Sequence, residues 1–216
     1  VTRDQVEREL TVRLRKLVVP FLTWDEGMGI YRQGIADLRE IEALRAQGIP
    51  APERLSDDAE EFAVWTALDL TLSQTCGMPY RLWLHDRVTL IGTPDFGVEG
   101  CPPGYYNSVF VVRANDPRET ISDFHAARFT YNQTFSQSGY AAPYAHCRAR
   151  GFWFAERSQS HSHRASAKAV AEARAEIAAL DAVSWRLIES HDAFAGDLRV
   201  LERTAPTPGL PYIAAA

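Results

Sequence analysis

The sequence predicts an α/β fold. Three observations carry this prediction. Short β-prone runs alternate with amphipathic runs of helical period, the β-prone runs are rich in branched and aromatic residues, and small polar residues gather where those runs end. Strands separated by helices imply a largely parallel, doubly wound sheet, a mixed but mostly parallel sheet flanked by helices in each of two lobes. Ligands of such sheets sit beyond the carboxyl ends of the strands.

In chain order, VTRDQVERELTVRLRKL places Val6, Leu10 and Leu14 four apart among charges, which predicts an N-terminal amphipathic helix over 1–16. LVVPFLTW (17–24) reads as a buried strand. IADLREIEALRAQGI (35–49) reads as a helix with Gly48 as its stop. Further strands are expected at 68–73, at 88–95 (VTLIGTPD) and at 105–116 (YYNSVFVVRAND). In the second half, ISDFHAA is a short helix, ARFTY a strand, SGYAAPYAHCRARG a helix interrupted by Pro143, and FWFAERSQ another strand. RASAKAVAEARAEIAAL is Ala-rich and helical, with Glu172 and Glu176 exposed, and runs into a short strand over 177–180. DAVSWRLIESH is a helix and LRVLERT (198–204) the last long strand. The expected division is the helix 1–16, one lobe from 17–111 with 198–216, and a second lobe from 112–197.

Composition narrows the function. The chain has 216 residues, 46% hydrophobic and 24% charged, with a net charge of −5 and no block of Lys and Arg, which argues against a nucleic-acid surface. No apolar run reaches the ~18 residues that span a bilayer, so no membrane span is expected. The first residues have a helical period and not that of a signal peptide. A leader removed ahead of them would place the chain in the periplasm, and otherwise the cytoplasm is expected. Cys76 (TCGMP) and Cys101 (EGCPPG) stand in turn-like contexts that suit either a disulfide or free thiols, with Cys147 left odd.

The polar strand ends carry the chemistry. SQSG (Ser136, Gln137, Ser138, Gly139) follows the strand ARFTY and precedes a helix. Such a cluster serves either as a turn and helix cap or as an anion cradle, because the first N–H groups of a helix lack partners within it. In the other lobe, SQT sets Gln74 and Thr75 at another strand end, facing SQSG. Hydroxyls and amides hold a tetrahedral oxyanion through neutral dipoles where water is excluded. Trp24 and Tyr106, at predicted strand ends, are cleft-lining candidates, while most other aromatics are core. Two sharper readings compete. Ser138, His163 and Asp181 could form a nucleophile, base and orienter, but no G-x-S-x-G elbow is present. His161 and His163 could start a metal site on one face of a strand, but no Cys or carboxylate stands at matching short spacing. No catalytic residue, metal or cofactor is expected.

The ordered set LSQTCG, YYNSVFVVRANDP, SQSGY, SHRASAKAV and IAALDAVSW resembles the substrate-binding proteins of phosphate, phosphite and phosphonate ABC transporters, from about Leu17 to the C-terminus. The resemblance implies a two-lobed type II periplasmic-binding-protein fold that closes like a hinge on one anion. It implies that Ser136, Gln137, Ser138 and the Gly139 N–H hold phosphoryl oxygens, that His163 is the binding-site histidine, and that Asp181 faces the substituent or amine of the ligand. It further implies a small oxyanion as ligand and an ABC transporter permease as partner. Two positions depart from the family pattern: Ala173 and Glu176 stand where a glycine and an aspartate are common before the next strand. Thiamine-precursor synthases share the resemblance, but their cysteine-rich motif is not evident. A cytosolic anion sensor is the remaining alternative.

Overall fold

The computed structural model describes residues 23–24, 31–32, 46–48, 61–68, 70 and 73–216. The chain forms two compact units, Val1–Val64 and Trp65–Ala216. In the first, β1 (Thr23–Trp24) pairs antiparallel with β2 (Tyr31–Arg32), Ala46 is helical, and Gly48 has a φ of 71°. The N-terminal helix over 1–16, the rest of the strand over 17–24, the rest of the helix over 35–49, and residues 69, 71 and 72 lie outside the described residues; of the strand expected over 68–73, Leu68 lies in a turn, the Leu70 N–H donates to the Ala67 carbonyl at 3.2 Å, and strand pairing begins only at Ser73. Helix α1 (Glu61–Trp65) follows.

The second unit is built on a five-stranded sheet of order β10-β6-β9-β7-β8, with β6 at Ser108–Arg113, β7 at Phe129–Tyr131, β8 at Arg157–Gln159, β9 at Ile177–Asp181 and β10 at Leu198–Arg203. β7 pairs parallel with β8 and β9, whereas β6 pairs antiparallel with both β9 and β10. The sheet is therefore evenly mixed, not mostly parallel. The cause is β6, which runs against its neighbours at the centre and carries SVFVVR, buried from Ser108 to Val112.

β9 is buried along its whole length, so helices must cover both faces of the centre. Helix α4 (His163–Ala171) packs on β6 and β9. One core cluster joins Phe110 and Val112 of β6, Phe129 of β7, and Ile177 and Ala179 of β9 to Phe124, Cys147 and Phe154. Phe154 stacks on Phe129 at 4.6 Å between ring centres, and Trp153 meets Phe129 edge-on at 5.3 Å. This packing shortens the strand expected over 152–159 to Arg157–Gln159. Phe152, Trp153 and Phe154 all turn their rings to the core, which alternating strand geometry forbids.

Pro143 does not interrupt its helix. A π turn over Gln137–Ala141 runs directly into α3 (Ala142–Arg148), and its wider winding accommodates a ring that would clash with the preceding turn of a regular helix. Near the C-terminal end, α5 (Ala182–His191) is capped by Asp181. A small sheet of order β3-β12-β4 joins Ser73–Gln74, Tyr212–Ala215 and Val88–Gly92, and β11 (Thr207–Pro208) pairs with β5 (Tyr105–Tyr106). Helix α2 (Gly77–Pro79) continues as a π turn over Tyr80–Leu84.

Helix α4 ends at Ala171, earlier than its Ala-rich sequence predicts. Ala173 has a φ of 60°, and the N–H groups of Arg174 and Ala175 both donate to the Ala169 carbonyl. That left-handed turn reverses the chain into β9. Glu176 is not free in solvent, since it accepts from the Arg128 N–H at 3.0 Å and pairs with Arg118 at 3.1 Å. A left-handed residue with a Cβ is strained where glycine is not. Ala173→Gly is therefore expected to stabilise the fold by roughly 0.5–1 kcal/mol, read as a higher urea midpoint with an unchanged slope.

Candidate functional site

β8, β7 and β9 run parallel and end on one edge of the sheet. Asp181 ends β9, the segment from Asn132 to Gly139 lies beyond β7, and the segment from Ser160 to His163 lies beyond β8. β6 runs the other way in a register that sets Ser108 opposite Asp181, so its start brings Asn107 and Tyr106 to the same edge. The small sheet supplies the remaining segment. Tyr212 pairs with Gln74, and the Thr75 N–H donates to the Pro211 carbonyl at 2.9 Å, which seats the SQTCG turn.

The SQSG turn is held from three sides. Ser136 is the N-cap, its Oγ accepting from the Gly139 N–H at 2.9 Å. The Gln137 N–H donates to Cys76 Sγ at 3.1 Å, and Arg81 Nη2 donates to Gln137 Oε1 at 2.8 Å. Ser138 Oγ lies 3.2 Å from His163 Nε2. A Cβ at Gly139 would meet the Asn132 carboxamide, which would have to turn aside to admit it. So the structure brings Ser136, Gln137, Ser138, Gly139, His163, Asp181, Gln74, Thr75 and Tyr106 to one edge. It already engages the Gly139 N–H with Ser136, the Gln137 N–H with Cys76, and the Gln137 carboxamide oxygen with Arg81. Of Trp24 only its backbone place in β1 is described.

Six buried side-chain atoms among the described residues have no hydrogen-bond partner: Gln74 Oε1, Thr75 Oγ1, Tyr106 OH, Asn107 Oδ1, Asn132 Oδ1 and His163 Nδ1. All six belong to residues of this edge. Buried polar atoms are ordinarily paired, so their concentration here marks a place that awaits a partner. Sequence reasoning missed Asn107, Asn132 and the site role of Cys76. The polar run from Asn132 to Gly139 was a signal for the second of these, while the other two come from strand register and turn packing.

Burial sets the electrostatics. It pushes His163 down to about 4, against an opposing effect of the Ala179 carbonyl, so the imidazole is neutral at physiological pH. It raises the Tyr106 hydroxyl, which is flanked by Cys76, Asp181 and Ser138, and it raises the Cys76 thiol. Asp181 is pushed up to about 6 by burial, although its Oδ1 accepts from the N–H groups of Val183 at 2.7 Å and Ser184 at 2.8 Å. The donors of the site are neutral dipoles.

A serine-hydrolase arrangement is not formed. Asp181 caps α5, and His163 Nδ1 has no hydrogen-bond partner, so no carboxylate orients the ring. Nor do the two histidines share a strand face. His161 is exposed at a φ of 70°, its Nδ1 3.3 Å from Gln159 Nε2, whereas His163 begins α4. Cys76, Cys101 and Cys147 are free thiols, so no disulfide joins the first two. The Asp181 carboxylate is penalised in the folded state above about pH 6 and not below its ordinary range near 4. Asp181→Asn, which keeps a good cap, is expected to raise Tm by several degrees at pH 7.5, with the gain vanishing as pH falls to 4.

The family model described as ABC transporter, phosphonate, periplasmic substrate-binding protein matches residues 62–216. No curated protein matches the chain. Among solved structures, XAC2383 from Xanthomonas citri bound to chloride is similar at 18% identity, covering 82% of this chain and 69% of that one, with a TM-score of 0.63. PhnD1 from Prochlorococcus marinus in complex with methylphosphonate is similar at 20% identity, covering 72% and 60%, with a TM-score of 0.62. A histidine kinase sensor domain with similarity to periplasmic binding proteins aligns at 12% identity over 91% and 76%, with a TM-score of 0.57. These likenesses show the α/β periplasmic-binding-protein fold, with mixed sheets flanked by helices. The chain belongs to the phosphonate-binding family of periplasmic substrate-binding proteins of ABC transporters.

Proposed function

We propose that the chain captures a small phosphorus oxyanion, with a phosphonate as the first candidate, and presents it to an ABC transporter permease. The observation that carries this reading is the set of unpartnered polar atoms buried beside Ser138 at the end of the parallel strands. Ser138, Thr75 and Tyr106 offer hydroxyl donors to the anion, and neutral His163 sits behind Ser138 as its hydrogen-bond partner. Ser136, Gln137 and Gly139 shape the turn that presents Ser138. Gln74 Oε1 and Asp181 are acceptors, which favours a ligand that also carries a proton or an ammonium group. In this reading the SQTCG turn belongs to a lobe formed by 17–111 and 198–216, the SQSG turn belongs to a lobe formed by 112–197, and β6 and β10 are the crossing strands. The family is one of binding proteins, and capture here needs no covalent step.

The test is thermal unfolding against methylphosphonate, 2-aminoethylphosphonate, phosphite, phosphate and sulfate. A ligand at about 100 times its dissociation constant adds roughly 2.7 kcal/mol, a shift of several degrees. At least one of the phosphorus anions is expected to produce that shift in the wild type and lose most of it in Ser138→Ala. A flat response to all four phosphorus anions would overturn the reading.

A further inference from the structure

Asp181 stands inside the site and not at its margin. It is 3% exposed, and the register of β6 against β9 sets Ser108 opposite it. The Ala182 N–H donates to the Asn107 carbonyl at 3.1 Å, which fastens the start of β6 to the same corner. The π turn over Gln137–Ala141 packs on β9, and the Tyr106 hydroxyl, which has no hydrogen-bond partner, has both Ser138 and Asp181 as neighbours. An anion held by the Ser138 and Tyr106 hydroxyls therefore lies beside the carboxylate, so that Asp181 faces the oxygens of the anion and not a distant substituent.

Among the described residues, the groups packed about Asp181 bring no cation to it. Tyr106 arrives from beside β6 and Cys76 from just ahead of α2, and burial keeps both protonated. His163 arrives from α4 and is neutral, while Arg164 and Lys168 of that helix pair with Asp192 and Glu172. The titratable residues of β7 and of the π turn, Tyr131 and Tyr140, pack their rings on each other at 4.9 Å. α5 brings Arg186, which is exposed and gives its Nη1 to the Phe96 carbonyl at 3.2 Å. The Asp181 carboxylate takes its two N–H bonds on Oδ1, and the nearby Gln74 Oε1 and Asn107 Oδ1 are further acceptors without a partner. A carboxylate and an oxyanion side by side in such a place do not both keep full charge; they share a proton.

We propose that Asp181 makes this a site for a singly charged phosphorus oxyanion, with one proton held between its carboxylate and a ligand oxygen, and that it refuses an anion carrying two charges and no proton. The inference rests on the anion-capture reading and names the protonation state which that site selects. Only an O–H bond is made. Where carboxylate and ligand have both lost their protons, the solvent supplies one. Sulfate, which holds no proton near neutrality, is excluded for the same reason, whereas phosphite, phosphate and methylphosphonate are admitted.

The test is isothermal titration calorimetry of the full chain with phosphite and methylphosphonate at pH 7 and pH 9, in pairs of buffers of different ionisation enthalpy. Wild-type affinity is expected to fall at least tenfold between the two pH values, with close to one proton taken up per ligand bound at pH 9. Sulfate is expected to bind the wild type at least tenfold more weakly than phosphite at pH 7. In Asp181→Asn, whose amide can donate to a dianion, the fall with pH is expected to shrink below threefold, the proton uptake to vanish, and the gap between sulfate and phosphite to close. A level wild-type profile, no proton uptake at pH 9, or sulfate bound as well as phosphite overturns the proposal and leaves the capture reading standing. Wild-type binding of 2-aminoethylphosphonate alone, with a level profile, assigns Asp181 to an ammonium group and also overturns it. Absence of binding to every phosphorus anion sinks the capture reading and this proposal together. The wild-type titrations decide the outcome even where the variant binds nothing.

Discussion

The pairing of Ser108 with Asp181 is the constraint on which the site depends. β9 is buried from end to end and β6 from Ser108 to Val112, so their side-chain alternation meets protein on both faces. A slip of one residue would turn every core side chain to the wrong layer and carry Tyr106 and Asn107 away from Asp181. The register is reinforced at the neighbouring strand, where the Ser108 N–H donates to Thr204 Oγ1 at 3.0 Å and the Thr204 N–H donates back to the Ser108 carbonyl at 3.0 Å. Core packing thus positions polar atoms that themselves contribute nothing to it.

Desolvation then determines the chemical character of what is gathered there. It removes the positive charge that His163 would otherwise bring near neutral pH, and it keeps Tyr106 and Cys76 protonated. A site of hydroxyls, a neutral imidazole and one carboxylate of raised pKa differs from the guanidinium clusters that bind phosphate by charge. Under the proposed capture, such a site selects by geometry and by the placing of individual protons, because each buried oxygen of a guest must find a donor or lose its hydration without return.

Much of this was legible in the amino-acid order. β-branched SVFVVR, the polar NQTFSQSG run and the DAVSW helix start all express local rules of period, turn chemistry and capping, and each fell where those rules put it. The family resemblance of the ordered motifs extended the reading to His163 and Asp181. What escaped is set by long-range packing. The direction of β6 in the sheet depends on distant partners, as the pairing of Ser108 with Asp181, 73 residues on, makes plain. The early end of α4 reflects a left-handed Ala173, a conformation that alanine does not advertise. Cys76 reads in sequence as a candidate for a bond to Cys101, and only the arrival of the SQSG turn makes it an acceptor for Gln137 instead.

The outermost strand, β8, is three residues long and wholly exposed, with Arg157 at its start. Arg157 directs its guanidinium back to the Phe154 carbonyl. A sheet with a long apolar border would offer its unpaired N–H and C=O groups to any passing chain. Here the border is brief, polar and led by a cation, so neighbouring copies of the protein find almost no rail on which to add a strand. The same abrupt ending hands the chain at once to Ser160 and the start of α4. One economy of length therefore serves both the brevity of the sheet border and the delivery of His163.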